Sequence, residues 1–305
     1  MMHLIIDVMN WREDVLSMLP SPIFYMGCKY KLLKTLIPLF PNECETFFDV
    51  FGGSAVVCMN YKGTKRTIYN DFNIDTVEFV KLFRDNTPEQ LHEYFDSTIK
   101  EYGLVCLGNE FRDQMEKQKG YYAFRKHYNE TSGKDIRDLY LLSCYSINHL
   151  IRFNQNKEFN ASCGSTHKYI YDKVKDAYPL LQGIEIQNNN IFDIDFDFLT
   201  SKDFVYFDPP YCQTHAVYNE SREFGGWSID DDYKLFQILE DLDSRGIKWG
   251  LSNVVVNRGK VNEHLAEWYR KCNWNVYHLN RNYQPFTSGK SNTDEVFICN
   301  YQKEE

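Results

Sequence analysis

An apolar run that stops on two consecutive prolines constrains this chain more than any other feature. Phe204-Val205-Tyr206-Phe207 reads as a buried strand, and Asp208-Pro209-Pro210-Tyr211 follows at once. Proline lacks the N–H a ladder needs and fixes its own φ, so the strand must end there. A carboxylate, the next carbonyl and an aromatic ring are then presented together at the carboxyl edge of a sheet, where open α/β folds place their ligands. The plainer reading of the same four residues is a strand-ending turn.

The pattern recurs upstream. Thr46-Phe47-Phe48-Asp49-Val50-Phe51 followed by Gly52-Gly53-Ser54 reads as a strand entering a tight turn, after which Ala55-Val56-Val57-Cys58-Met59 opens a helix. Thr67-Ile68-Tyr69 then ends in Asn70-Asp71, about 20 residues past the glycines, the distance at which α/β folds place a ribose-binding acid. Lys248-Trp249-Gly250-Leu251-Ser252 and Glu295-Val296-Phe297-Ile298-Cys299 read as later strands, and helical patterns cover 230–245 and 260–272. Strands separated by helices predict an α/β chain, with a mostly parallel sheet and helices on both faces. Residues 81–180 lack strong strand signals and read as a mainly helical insertion.

Charge adds a second constraint. With 43 Asp+Glu against 34 Lys+Arg the net charge is −9, which excludes binding polyanions by bulk charge alone. The distribution is uneven: residues 100–180 hold 13 basic and 10 acidic side chains, leaving 21 and 33 elsewhere. In that stretch Arg112, Lys117, Lys119, Arg125 and Lys126 alternate with Phe111, Tyr121, Tyr122 and Phe124, which suits phosphate contact and base stacking, or else a solvated helix face. The nine cysteines are dispersed without a C-x2-C pair and the eight histidines lack ligand spacing, so no metal and no disulfide framework is expected. No run approaches the roughly 20 apolar residues of a membrane span, and a cytoplasmic chain is expected. Leu4, Ile5, Val8, Trp11, Val15, Leu16 and Leu19 fall near helical spacing, predicting a packed amphipathic helix in the extension 1–20, or a partner-binding arm.

The turn after Phe207 suits an exocyclic amine. Adenine's amino nitrogen is a poor nucleophile because its lone pair is delocalised into the ring. Two acceptors on its hydrogens, the Asp208 carboxylate and the Pro209 carbonyl, would favour pyramidal nitrogen as a bond to carbon forms. Tyr211 would stack on a base that has left its duplex. Asp49, Asp71 and Asp208 at one sheet edge favour the positive sulfonium of S-adenosylmethionine over a triphosphate, and no G-x-x-x-x-G-K-[ST] occurs.

These residues, in this order, resemble the DNA adenine-N6 methyltransferases of the Dam type, particularly the phage-encoded members, over roughly 21–301. Phe24-Tyr25-Met26-Gly27-Cys28-Lys29 with Leu32-Leu33 is similar to the family's N-terminal motif and implies cofactor contacts from Tyr25 and Lys29. Phe48-Asp49-Val50-Phe51-Gly52-Gly53 resembles the methionine-moiety loop, Asn70-Asp71 the ribose-binding acid, and Phe192-Asp193 the pair beside the cofactor adenine. Asp208-Pro209-Pro210-Tyr211 matches the catalytic motif without change; 246–253 and 293–300 resemble the closing strands. Ala55 stands where many relatives keep a glycine.

The family's target-recognition domain is an insertion at the place of the basic segment. Asn148-His149-Leu150-Ile151-Arg152-Phe153-Asn154 and Glu158-Phe159-Asn160 resemble its R-x-N…F-N hairpin, which enters DNA. The resemblance implies that Asn148, Arg152, Asn154, Phe159 and Asn160 make or support DNA contacts. A salt bridge or loop hydrogen bonds is the other use for Arg152 and Asn154. Where relatives continue with P-F-G and a basic residue, Ala161-Ser162-Cys163-Gly164-Ser165-Thr166 follows here, leaving His167 and Lys168 as substitutes and the recognition sequence open.

The expectation is therefore a Rossmann-like methyltransferase fold: an extension 1–20, an S-adenosylmethionine-binding catalytic domain of 21–80 and 181–305, and a DNA-binding domain of 81–180. It would methylate N6 of a flipped adenine in double-stranded DNA, for restriction-modification or phage DNA protection. It would act as a monomer or weak dimer on DNA, with no membrane and no obligatory protein partner. The rivals are methylation of another planar amine (RNA adenine, cytosine N4 or a glutamine side chain) and a non-catalytic DNA-binding protein on the same scaffold.

Overall fold

The computed structural model describes residues 18–105, 114–164, 169–211, 226–257, 259–279 and 293–303. The helix expected in the extension, and His167 and Lys168, lie outside the described residues. The chain divides into two compact units, one holding Lys29–Asn73 and the chain from Gly183 onward, the other Pro20–Cys28 and Ile74–Gln182.

Among the described residues the first unit is built on one sheet of eight strands: β1 (Cys44–Asp49), β2 (Thr64–Asn70), β3 (Glu185–Gln187), β4 (Phe204–Phe207), β5 (Lys248–Asn257), β6 (Lys260–Val261), β7 (Asn275–His278) and β8 (Thr293–Cys299). Their spatial order is β3-β2-β1-β4-β5-β8-β7, with β6 paired to β5. β3, β2, β1, β4 and β5 run parallel, while β8 is antiparallel to β5 and to β7. The sheet is thus mostly parallel, as its apolar strands predict: β4 is buried along its whole length. β3, β6 and β7 carry no strand signal in the sequence, because each is short and only partly buried or exposed.

β1 alternates its rings across the sheet. Phe47 turns to one face, with Phe40, Tyr61 and Phe204. Phe48 turns to the other and joins Phe207, Trp249, Leu239 and Leu265 in the main hydrophobic core. On that second face lie α8 (Ile229–Ser244) and α9 (Glu263–Cys272), whose Phe236 and Trp268 stack at 4.1 Å. The periodic stretch 260–272 becomes helix only from Glu263. Gly259, at φ 80°, lets residues 260–261 return as β6, and Asn262 accepts from the Leu265 N–H to start the helix.

Earlier helices are α1 (Leu33–Leu36) and α2 (Val56–Asn60). The second unit is mainly helical: α3 (Ile74–Asp85), α4 (Pro88–Tyr102), α5 (Gln114–Glu130), α6 (Ile136–Tyr145) and α7 (Tyr171–Leu181). Phe79, Phe83, Phe95 and Tyr140 are buried together at its centre. Among the described residues no helix is long and apolar enough to cross a membrane.

Registry fixes where a site can form. Asp49 pairs with Tyr69 on β2 and with Tyr206 on β4, so the carboxyl ends of β1, β2 and β4 lie level. The chain leaves β1 toward β2 on one side and later returns to β4 on the other, which opens a crevice at the strand ends.

Candidate active site

The glycine turn is shaped from β2. Gly52 N–H donates to the Asn70 carbonyl at 2.8 Å, Gly53 N–H to Asp71 Oδ2 at 2.8 Å, and Tyr69 hydroxyl to the Gly53 carbonyl at 2.8 Å. A Cβ on Gly52 would run into the Tyr69 ring, so the close approach excludes any side chain there. Asp71 spends Oδ1 on the Asn73 N–H at 2.8 Å. Ala55, at φ 59°, holds the left-handed turn that opens α2, a conformation glycine would adopt without strain.

Asp49 ends β1 beneath that turn, 1 % exposed. One carboxylate oxygen accepts from the Cys58 thiol at 3.3 Å, and the other, Oδ1, has no hydrogen-bond partner among the described residues. Burial, opposed by the Cys58 bond and reinforced by the charges of Asp208 and Asp71, pushes its pKa up to about 8. A buried oxygen without a donor is costly, and an ammonium or N–H of a bound group would satisfy it.

Asp208 stands at the end of β4 within a cluster of four side chains. Lys29 Nζ is 2.6 Å from Asp208 Oδ2 and 3.3 Å from Glu295 Oε1, and it donates to the Tyr211 hydroxyl at 2.8 Å. Tyr211 in turn donates to Asp208 Oδ1 at 2.8 Å and also lies 3.3 Å from Glu295 Oε1. Burial pulls the Lys29 pKa down, but Asp208 and Glu295 together outweigh it and hold the ammonium above its ordinary value. Glu295 shifts upward by burial, which Lys29 only partly offsets. Pro209 is buried and Pro210 half-buried beside them.

A third group is aromatic. Trp227 stacks on Phe192 at 5.9 Å and meets Phe51 edge-on at 5.6 Å. Its indole N–H donates to Asp232 Oδ1 at 2.7 Å, and His264 Nε2 lies 2.6 Å from Asp232 Oδ2. Asn190 Oδ1 accepts from the Phe192 N–H at 3.1 Å and fixes that ring's backbone. Asp193 is exposed.

The structure therefore brings Lys29, Asp208 and Tyr211 together, joins Asp71 to Gly53, and links Phe51 with Phe192 through Trp227. Tyr25 belongs to the second unit, where its carbonyl accepts from Cys28 N–H at 3.2 Å. Glu295 and Trp227 were not singled out from sequence. β8 runs antiparallel, so its amino end lies at the carboxyl edge of its parallel neighbours. An acid immediately before the apolar run Val296-Phe297-Ile298-Cys299 is the available signal for Glu295.

In the second unit the sequence 152–160 forms a hairpin with Phe153 bridged to Phe159. Arg152 Nε donates to Asn160 Oδ1 at 2.7 Å and Nη2 to the Asn160 carbonyl at 2.9 Å. Asn154 Oδ1 accepts from the N–H groups of Asn156 at 2.9 Å and Glu158 at 3.0 Å, while its Nδ2 donates to Glu158 Oε2 at 2.7 Å. These side chains shape the hairpin. Phe159 is fully buried, packed edge-on against Phe153 and Tyr128. Gln155, Asn156 and Lys157 are exposed at the tip. Asn148 and His149 are both left-handed, at φ 53° and 55°, and His149 stacks on Phe24 at 3.5 Å.

Residues 25–284 match the D12 class N6 adenine-specific DNA methyltransferase family. The chain is 35% identical over 291 residues to the modification methylase StsI of Streptococcus sanguinis, covering 92% of this chain and 43% of that protein. It is 34% identical over 294 residues to the type II methyltransferase M.FokI of Planomicrobium okeanokoites, covering 93% and 43%. A phage relative, the DNA N-6-adenine-methyltransferase of Escherichia phage P1, is 24% identical over 261 residues, covering 83% and 31%. The chain thus spans less than half the length of these relatives.

Proposed function

The chain belongs to the D12 class of N6 adenine-specific DNA methyltransferases, and from that premise we propose that it methylates N6 of an adenine flipped out of double-stranded DNA, with S-adenosylmethionine as donor. When bound, S-adenosylmethionine supplies an electrophilic methyl carbon on a positively charged sulfur. The observation that carries the reading is Asp208, held at the crevice of the sheet by Lys29 and Tyr211.

In this reading Asp208 and the Pro209 carbonyl accept the two amine hydrogens and bring the N6 lone pair onto the methyl carbon. Pro210 stiffens the turn, and the Tyr211 ring lies against the base. A donor bound there would give up its methyl to that lone pair, the C–S electron pair leaving with sulfur, and a proton would leave N6 afterwards. Asp208 orients rather than abstracts, because the amine becomes acidic only once it is positive.

The donor's site fits what the residues offer. Asp49 has a buried oxygen in need of a donor, which the amino group of the methionine moiety can supply. Asp71 and the Gly52-Gly53 turn would take the ribose and methionine portions, and Phe51, Phe192 and Trp227 the adenine. Lys29 holds Asp208 in place. Asp193 would be the remaining cofactor contact of this reading. The unit of Lys29–Asn73 and residues from 183 onward would bind the cofactor, and the helical unit would bind DNA through its hairpin. Arg152, Asn154, Phe159 and Asn160 would set the hairpin's shape, with Asn148, His167 and Lys168 as further DNA contacts.

Incubation with methyl-labelled cofactor and either duplex DNA or RNA tests the reading. Label in DNA adenine is expected; label only in RNA, or on cytosine, overturns it.

A further inference from the structure

Glu295 has no part in the reaction as described, although it lies within the cluster that holds Asp208. Both oxygens of Asp208 are engaged: Lys29 is 2.6 Å from Oδ2, and Tyr211 donates to Oδ1 at 2.8 Å. Both donors also reach a single oxygen of Glu295, Oε1, at 3.3 Å each. A phenol has one proton and can serve only one carboxylate at a time. At rest that proton and the closest approach of the ammonium go to Asp208, with Glu295 as the second acceptor for each.

For Asp208 to accept from a substrate amine, its present donors must loosen. A buried ammonium or phenol released without an acceptor keeps its desolvation penalty with nothing to offset it. Glu295 Oε1 removes that penalty, because both groups can pass to it without leaving the cluster. Charge points the same way. Lys29 and Asp208 alone sum to zero, so the positive charge that grows on N6 would meet no net attraction and a nearby ammonium. With Glu295 ionised the cluster carries −1, and the ammonium has a second carboxylate to lean on, away from the reacting nitrogen.

The backbone holds Glu295 for this task. It is the third residue of β8, half-buried between the buried Asp294 and Val296; its carbonyl accepts from the Leu279 N–H at 2.9 Å, and it pairs with Val254 on β5. The register of that ladder shifts between Val254 and Val256, and such bulges re-aim neighbouring side chains.

We propose that Glu295 is a positioning residue for methyl transfer: as the adenine amine engages Asp208, Lys29 and the Tyr211 hydroxyl pass to Glu295, which frees Asp208 and keeps the cluster negative. The inference rests on the N6-methylation reading above.

The test compares the native chain, Glu295→Gln and Glu295→Asp in single-turnover methyl transfer to a duplex carrying the modified sequence, with cofactor and DNA dissociation constants measured alongside. Glu295→Gln is expected to slow transfer by about 30-fold, while both dissociation constants stay within about threefold. Glu295→Asp, which keeps the charge, is expected to be faster than Glu295→Gln. A native rate in Glu295→Gln, or a loss accounted for by weaker binding, overturns the proposal. So does an aspartate variant no faster than the glutamine one.

A second readout needs no variant. In a complex of the native chain with that duplex and a non-transferring cofactor analogue, Lys29 Nζ is expected nearer to Glu295 than to Asp208. Lys29 still paired to Asp208 beside a bound amine overturns the exchange. A native chain that transfers no methyl to DNA would instead overturn the reading beneath it.

Discussion

Lys29 Nζ lies 2.6 Å from Asp208 Oδ2, joining the segment ahead of β1 to the end of β4 across 179 residues of sequence, with the lysine only 6% exposed. Lys29→Met removes the cation and leaves Asp208 and Glu295 facing each other. Removing one partner of a buried pair costs about 3–5 kcal/mol, so a fall in Tm is expected. The sign with pH follows from Glu295. Its folded pKa is raised, so protonation favours the folded state, and stability is regained as pH falls through that value. The Tm deficit of Lys29→Met relative to the native chain should therefore be smaller at pH 5 than at pH 8, as thermal unfolding at the two pH values will show.

Asp49 makes a prediction about the cofactor-free protein. Its folded pKa of about 8 exceeds the ordinary 3.8, so the stability held by its proton is fully present below 3.8 and is lost as pH rises through about 8. At about 1.4 kcal/mol per unit, the loss amounts to several kcal/mol. Denaturant unfolding against pH should show this decline in the native chain and a flatter profile in Asp49→Asn. Cofactor binding, which needs the ionised form opposite a cation, should release a proton below pH 8 in the native chain only.

The indole of Trp227 lies between Phe51 and Phe192 and is held by Asp232. Cofactor addition should change tryptophan fluorescence, and Trp227→Ala should abolish that change. Its cofactor affinity should fall about tenfold, as expected of a lost stacking partner, when measured by calorimetry.

In the second unit, Arg152→Met removes both bonds to Asn160 and should weaken DNA binding with cofactor affinity unchanged. Lys157→Ala at the hairpin tip should reduce the slope of log affinity against log salt by about one, if its ammonium meets a phosphate. Fluorescence anisotropy over a salt series measures both.

What the sequence discloses about this molecule is whatever is contiguous. The proline-ended strand, the glycine turn on β1 and the acid after β2 each declare themselves within a few residues, because backbone chemistry compels them locally. Glu295 and Trp227 do not, since their partners are chosen by strand order. Glu295 reaches Lys29 only because β8 lies antiparallel beside β5, and Trp227 meets Phe192 only once α8 covers the sheet. The same limit applies to Arg152, for which the family resemblance implies that it makes or supports a DNA contact and whose guanidinium is bonded to its own hairpin. Short strands such as Glu185–Gln187 left no pattern, because three residues show no alternation.

The most direct test of the central claim is methylation-sensitive long-read sequencing of DNA from cells expressing the native chain or Asp208→Ala. The native chain should leave N6-methyladenine in a defined sequence context, and Asp208→Ala none. Unmodified adenine with the native chain, or equal methylation by Asp208→Ala, would contradict it.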